Sequence, residues 1–425
     1  MLESLILSVF CASNAPALPP HACEELGIER GTVQTLPDVE FGASDSFMLT
    51  LDGKPRLVRL VPWSLRDRGF SVEGDPLGLV DRRERLWRGT VEPGGLRISC
   101  SRLRDGWWGR VVGEDGQSWM LEPWGDRTAV YNSSDALACG GTCGVIDGVF
   151  NDSRDPVIAR MGGPGGGGGL QVCGLAAEAD WAFFQTWGAD ALGRVESVLD
   201  AMNLQYESEV GITHDLSYFL VRTSAADDPY GSVTNSSSLL SQFGTWWNTN
   251  QQLIERDVAH LFTGKELDGS VIGIAYLGVI CTTNAYGLDQ EFGNFNCRTD
   301  LIAHELGHNW SADHCDCGNP QYTMNPSITC ANQFSPTQTV GDIAGFRSTR
   351  SCLESAPIRC CLLDGSCQAT FRDACLNLGG FLDSTDASCP PEACTQTWAC
   401  CFPDGVCLEG DPASCFTAGA SVGAL

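Results

Sequence analysis

The 425-residue chain contains no apolar run of about 18 residues, the length a transmembrane helix needs, so no integral membrane segment of that kind is expected. It is also short of positive charge, with 26 Lys+Arg against 53 Asp+Glu and a net charge of −27 at pH 7. Such a balance repels a polyphosphate backbone and excludes nucleic acid as a natural partner. Charged residues amount to only 19 % and the hydrophobic set to 43 %, which excludes a wholly disordered chain. Histidine is scarce, at 6 residues, and no EF-hand-type loop is present.

Cysteine, by contrast, is abundant. Twenty-two of them are too many for a reducing cytosol, and they recur beside Gly, Asp and Pro at loop-like spacings. Disulfides in an oxidising, extracellular compartment are the better reading. Residues 1–15 agree with export: Leu5 to Ala12 is a short apolar stretch followed by small residues, as in a signal peptide, although Glu3 stands where a basic residue is usual.

The length suggests two to four domains. Residues 16–160 read as mainly β, with short strands at Phe47–Leu51, Arg56–Val61, Leu96–Ser101, Gly109–Val112 and Ser118–Leu121. Most of the chain's arginines lie here, among them Arg82, Arg83, Arg85 and Arg88, so this module can serve as the intramolecular partner of an acidic one. The run Arg82-Arg83-Glu84-Arg85 itself reads as solvated. Residues 161–172 carry GGPGGGGG, a linker or cleavable hinge, because each glycine loses the most backbone entropy on ordering.

Residues 173–355 alternate between strands and helices, an α/β pattern. A strand ends near Asp180, and a helix runs through Leu192, Val195, Val198, Leu199 and Met202. A strand follows at Ile212–Val221, then a helix through Leu239, Leu240, Phe243, Trp247 and Ile254, then an apolar strand at Val271–Ile280. Residues 176–355 hold 22 Asp+Glu and 7 Lys+Arg, over half of the total charge excess. From 360 to 425 the cysteines repeat with a period of 40: Cys360, Cys361, Cys367 and Cys375 match Cys400, Cys401, Cys407 and Cys415. Two copies of a small disulfide-stapled module are expected, the second incomplete.

The sharpest chemical signal is HELGHNWSADH, His304 to His314. On a helix over Asp300–Asn309, capped by Thr299 or Asp300, His304 and His308 lie one turn apart on one face and reach one ion. Zinc suits them. Glu305 beside the first ligand is the natural proton acceptor for an attacking water and donor to a leaving amine. His314 arrives six residues later, and three neutral imidazoles leave a fourth position open, as in catalytic rather than structural sites. Three of the 6 histidines within 11 residues are hard to reconcile with an ordinary amphipathic helix.

These residues resemble the metzincin metallopeptidases, whose motif is HExxHxxGxxH followed by a Met-turn; Met324 matches the Met-turn methionine. The strings Met324–Gln338 and Arg256–Leu288 resemble the reprolysin branch, the ADAM-type and snake-venom metalloproteases, and the likeness covers roughly Gly174 to Glu354. It implies a metzincin-type catalytic domain with a mixed, mostly parallel sheet and an active-site helix. It also implies a secreted zinc endopeptidase acting on proteins or peptides and made as a latent proenzyme. Ser311 departs from the family's glycine at a turn where positive φ is required.

The resemblance further implies three bridges among Cys281, Cys297, Cys315, Cys317, Cys330 and Cys352, with Cys281 paired to Cys352. A competing arrangement has Cys315 and Cys317 binding metal with His314. Cys143-Gly144-Val145 resembles the family's cysteine switch, in which a thiolate occupies the zinc; the alternative is a Cys139–Cys143 disulfide, and Cys173 is a second switch candidate. Val271–Leu277 is expected to line the cleft as an edge for extended substrate. Calcium is a candidate second metal on family grounds. The Cys-rich repeats suit surface or matrix attachment, which also fits the rival reading of an inactive, metalloprotease-like adhesion protein. Asn132, Asn151, Asn235 and Asn309 lie in glycosylation sequons.

Overall fold

The computed structural model describes residues 15–40, 44–113, 116–138, 140–146, 170–315, 317–318 and 321–355, and short segments at 358–361, 366–370, 381–384, 398–401, 407–410 and 421–423. Residues 1–14 of the expected leader, the Gly-rich stretch up to 169 and Cys139 lie outside the described residues. Two units are distinguished, one of residues 1–161 and 173–353, the other of residues 162–172 and 354–425.

The first 146 residues contribute helix α1 (Pro20–Leu26) and ten strands: β1 (Thr32–Gln34), β2 (Asp45–Leu51), β3 (Lys54–Trp63), β4 (Arg66–Glu73), β5 (Leu86–Glu92), β6 (Leu96–Arg102), β7 (Trp107–Val112), β8 (Ser118–Trp124), β9 (Arg127–Asn132) and β10 (Thr142–Ile146). Eight of them form an antiparallel sheet in the order β1-β9-β8-β7-β6-β5-β3-β2. The β2–β3 hairpin turns on Asp52-Gly53, both with positive φ, the pair favoured in two-residue turns whose twist matches the strands. Phe47, Leu49, Leu51, Val58, Leu60, Trp87, Ile98, Trp107 and Leu121 form the core of this sheet. Strand β7 is buried at all six positions, where a period of two predicts alternation, because its other face is covered by a helix.

That helix is α3 (Ala191–Glu209), which follows β11 (Gln171–Ala179) and α2 (Trp181–Trp187). Its acidic side chains meet the arginines of the N-terminal strands. Arg66 Nε lies 2.5 Å from Glu196, Arg85 Nη1 3.0 Å from Asp190, and Arg88 bridges Asp200 and Glu207 at 2.7 Å each. The basic segment is thus paired with the acidic one within a single unit. Arg85 corrects the reading of Arg82–Arg85 as solvated: it is buried, while Arg83 is exposed and paired with Asp81.

The second sheet runs β10-β14-β15-β13-β11-β12-β4, built from β12 (Ile212–Val221), β13 (Val258–Thr263), β14 (Val271–Tyr276) and β15 (Tyr286–Gln290) with two strands from the N-terminal region as its outer members. The pairs β10/β14, β15/β13, β13/β11 and β12/β4 are parallel, and β14/β15 is antiparallel. A mixed α/β architecture is what was expected. The edge of β14 is not free, however: β10 covers it.

Helices α4 (Ser236–Asn250), α5 (Phe295–Asn309) and α6 (Thr339–Arg347) complete this unit. Several boundaries differ from expectation. Helix α4 ends at Asn250, before Ile254, and β14 ends at Tyr276, ahead of the positive φ of Gly278 and Cys281. Helix α5 begins five residues before Asp300, capped by Asn294, whose side chain accepts from Cys297 N–H. All 15 of its residues are buried, so it has no solvent face. Cys281–Cys352 is bridged, and Cys297–Cys330 and Cys315–Cys317 supply the other two bonds.

The second unit contains β16 (Glu354–Ser355), paired with Gln171 and Val172. It also holds two three-stranded antiparallel sheets, β17 (Ile358–Cys361), β18 (Cys367–Thr370) and β19 (Phe381–Ser384), and β20 (Trp398–Cys401), β21 (Cys407–Gly410) and β22 (Ser421–Gly423).

Candidate metal centre

Helix α5 supplies His304, Glu305 and His308 from one buried stretch. The chain then turns through Ser311, at φ +71°, and returns with His314. The turn is closed by Ser311 N–H to His308 O (2.8 Å) and Ala312 N–H to Gly307 O (2.9 Å). Cys315 N–H donates to Met324 O at 2.8 Å, tying the third histidine to the segment around Met324. Met324 is buried against the helix, so close that a Cβ on Gly307 would come within 2.5 Å of its Sδ.

The ring nitrogens are sorted by their partners. His304 Nδ1 faces Thr323 O at 2.6 Å and His308 Nδ1 faces Ala312 O at 2.8 Å. Carbonyls only accept, so both Nδ1 atoms carry the hydrogen and both Nε2 atoms carry a lone pair. Those two Nε2 atoms lie 3.0 Å apart, and His314 Nε2 is buried without a partner among the described residues. Burial pushes His304 far down, His308 down to about 3 and His314 down as well, with the neighbouring imidazoles adding to the effect for the first two. Three neutral imidazoles whose lone pairs converge repel one another unless a cation sits between them, which is the donor chemistry of zinc.

The fourth side chain is Cys143 on β10. Its Sγ and one nitrogen from each of His304, His308 and His314 all lie within 4.8 Å of one another. Strand β10 delivers it by pairing Cys143 with Gly273 of β14. Its thiol is not disulfide-bonded and donates to Glu305 Oε2 at 3.4 Å. Burial pushes this thiol well up, and Glu305 beside it adds to the shift. Burial likewise raises the Glu305 carboxyl far above the usual range, with Asp289 contributing, and its Oε1 has no partner among the described residues. Cys173 is buried on β11 and is not part of this cluster, which removes it as the second candidate.

Bridging of Cys315 to Cys317 overturns the arrangement in which these two bind metal with His314. The other grouping with metal-ligand spacing among the described residues, Asp257 with Cys281 and Cys352, has its cysteines bridged to each other. No group of described residues supports calcium. Asn309, in a sequon, is fully buried and cannot accept a glycan in the folded chain. His260, Asp289 and Asn309, which meet behind the helix, were missed by sequence reasoning; they come from three elements, and no local spacing announces them.

Residues 169–340 match the Metallo-peptidase family M12 profile. A zinc metalloproteinase-disintegrin-like protein from Cerberus rynchops is 29% identical over 191 residues, covering 42% of this chain and 29% of that protein. Zinc metalloproteinase-disintegrin-like brevilysin H2a from Gloydius brevicauda is 32% identical over 116 residues, 24% of this chain and 26% of the relative. The matched stretches therefore span under a third of these relatives' length. A solved chaperone-substrate complex matches with a TM-score of 0.32 and 13% identity over 43% of this chain and 35% of that chain, too little to bear on the fold. With the three converging imidazoles, the Met324 segment and the matched profile agreeing, residues 169–340 form an M12 metallo-peptidase domain of reprolysin type.

Proposed function

We propose that this chain is a secreted, zinc-dependent endopeptidase made in a latent form, with His304, His308 and His314 as metal ligands and Glu305 as the catalytic base. The observation that carries the reading is the convergence of three neutral imidazoles and one thiol on a single point beside a buried carboxylate. Zinc held there supplies Lewis-acid chemistry to a scissile carbonyl and an attacking water. Glu305 takes the water's proton and returns it to the leaving amine.

Latency follows from β10. Cys143 occupies the position where a substrate carbonyl must approach, and β10 fills the edge of β14 with which an extended peptide would pair. Release of β10 uncovers both. On this reading residues 16–160 act as prodomain, residues 161–172 as the hinge whose cleavage permits its later release, and residues 360–425 as Cys-rich repeats for surface or matrix attachment.

The test is cleavage of a broad fluorogenic peptide library by full chain, by chain cut within 161–169, and by Cys143→Ala. We expect the uncut chain to be silent, Cys143→Ala to stay silent while β10 still fills the edge of β14, and activity to appear once the cut pieces are separated. A zinc chelator or Glu305→Ala is expected to reduce turnover of the active forms by at least about a thousandfold. Folded, zinc-loaded protein with no turnover in any form would transfer the weight to an adhesion role.

A further inference from the structure

His260 lies at the centre of the second sheet, on β13, fully buried. Its Nδ1 is 2.8 Å from Asp289 Oδ2 and its Nε2 is 2.9 Å from Asn309 Oδ1. The orientation of the Asn309 amide is set by its other end, where Nδ2 donates to Tyr276 O at 2.8 Å and to Tyr286 O at 3.0 Å. Two carbonyl oxygens require the NH2 group there, so the amide oxygen faces the imidazole. An amide oxygen only accepts, and a carboxylate only accepts. Both ring nitrogens must then carry hydrogen.

The ring also has no freedom to move away. It lies against Gly287 of the paired strand, where a Cβ would come within 2.5 Å of Cε1 and Nε2. Asn309 immediately follows His308, and its backbone carbonyl accepts from Val279 N–H (3.0 Å) and Ile280 N–H (3.3 Å), while His308 O accepts from Gly278 N–H (2.8 Å). The end of α5 is therefore bound to β13, β14 and β15 through one side chain and one peptide segment. A residue that fixes Asn309 also fixes the backbone carrying His308.

We propose that His260 is a positioning residue: an imidazolium held between Asp289 and Asn309, which fixes the last turn of α5 and so the His308 ring in its metal-binding position. The proposal rests on the peptidase reading for its purpose, but the bridge itself does not. It differs from a buried neutral histidine such as His214, whose Nδ1 faces Asn203 Oδ1 at 3.0 Å and whose Nε2 accepts from Trp310 Nε1 at 3.1 Å.

Full chain labelled with [15N]histidine, with His260 assigned by the signal lost in His260→Gln, reports the ring protons directly. We expect both nitrogens of His260 to carry hydrogen; a single protonated nitrogen, as with a neutral ring beside a carboxylic acid at Asp289, overturns the proposal. In His260→Gln, amide hydrogen exchange at Gly278, Val279 and Ile280 should accelerate at least tenfold while β7 and β8 are unchanged, and the zinc dissociation constant should rise about tenfold. Unchanged exchange and unchanged zinc affinity in the folded variant would refute the positioning role. Chain that binds no zinc at all sinks the peptidase reading, and ring protonation and exchange still decide this one.

Discussion

Ser311 shows how much a single backbone angle can settle. The family motif has glycine between the second and third ligands, and the structure shows why: the turn needs φ near +71°, where a β-carbon meets the following carbonyl. Serine makes the same turn at a cost, and the two hydrogen bonds that close it hold His314 in place nonetheless. Ser311→Gly is expected to stabilise the fold by about 0.5–1 kcal/mol, after allowing for the greater unfolded-state freedom of glycine, with zinc affinity kept. Denaturant midpoints at equal m-value are the measurement; an unchanged or lowered midpoint would show that the serine side chain recovers the strain. At this scale the candidate metal site was legible beforehand, because His304, Glu305, His308 and His314 lie within 11 residues and their chemistry is local. His260 was not, because its partners come from 29 and 49 residues away.

Among the elements, α5 departs furthest from what periodicity suggests. An amphipathic reading assigns it a wet face, yet every residue is buried, and several of its polar side chains find partners within the protein instead. Asp300 accepts from Thr323 Oγ1 at 2.7 Å and Asn332 N–H at 2.9 Å, and Asn296 donates to Cys330 O at 2.6 Å. At its N-terminus the carboxylate of Glu122, on β8, accepts from Phe295 N–H at 3.2 Å and from Tyr131 Oη at 3.0 Å. Burial pushes this carboxyl up to about 7 in spite of those bonds. Because its folded-state pKa lies above the ordinary value, the carboxyl stabilises the fold when protonated. That contribution is complete below about 4.5 and fades as pH rises through about 7. Thermal unfolding of the full chain should therefore weaken between these pH values by more than in Glu122→Gln, and parallel curves for the two proteins would refute the assignment.

For the molecule as a whole, the N-terminal region is joined to the peptidase sheet by more than a tether. It contributes β4 and β10 as the outer strands and packs its own antiparallel sheet on α3. The contact is lined with ion pairs whose carboxylates, Asp200 above all, are buried; separating them leaves charges uncompensated unless water enters. Cutting the glycine-rich segment should therefore not by itself release the N-terminal region. We expect the two pieces to co-elute in size exclusion after a cut within 161–169, and peptidase activity to appear only under conditions that separate them. Activity appearing at once, with the pieces still together, would show that β10 alone withdraws from the cleft.

By itself the sequence pointed to His304, His308 and His314 as candidate metal ligands, to Glu305 as candidate base, to the Met324 segment and to the α/β character of residues 173–355, and its family resemblance implied the Cys281–Cys352 bond. Each rests on spacing along one stretch or on motifs dense enough to be specific. Only the tertiary structure decided that Cys143 reaches the three histidines, that β4 and β10 join the peptidase sheet, that Arg85 is buried and that His260 meets Asn309. These are contacts between elements 49 or more residues apart, or between strands whose order in the sheet differs from their order in the chain, and no local pattern of hydrophobicity or charge encodes which element becomes the neighbour of which.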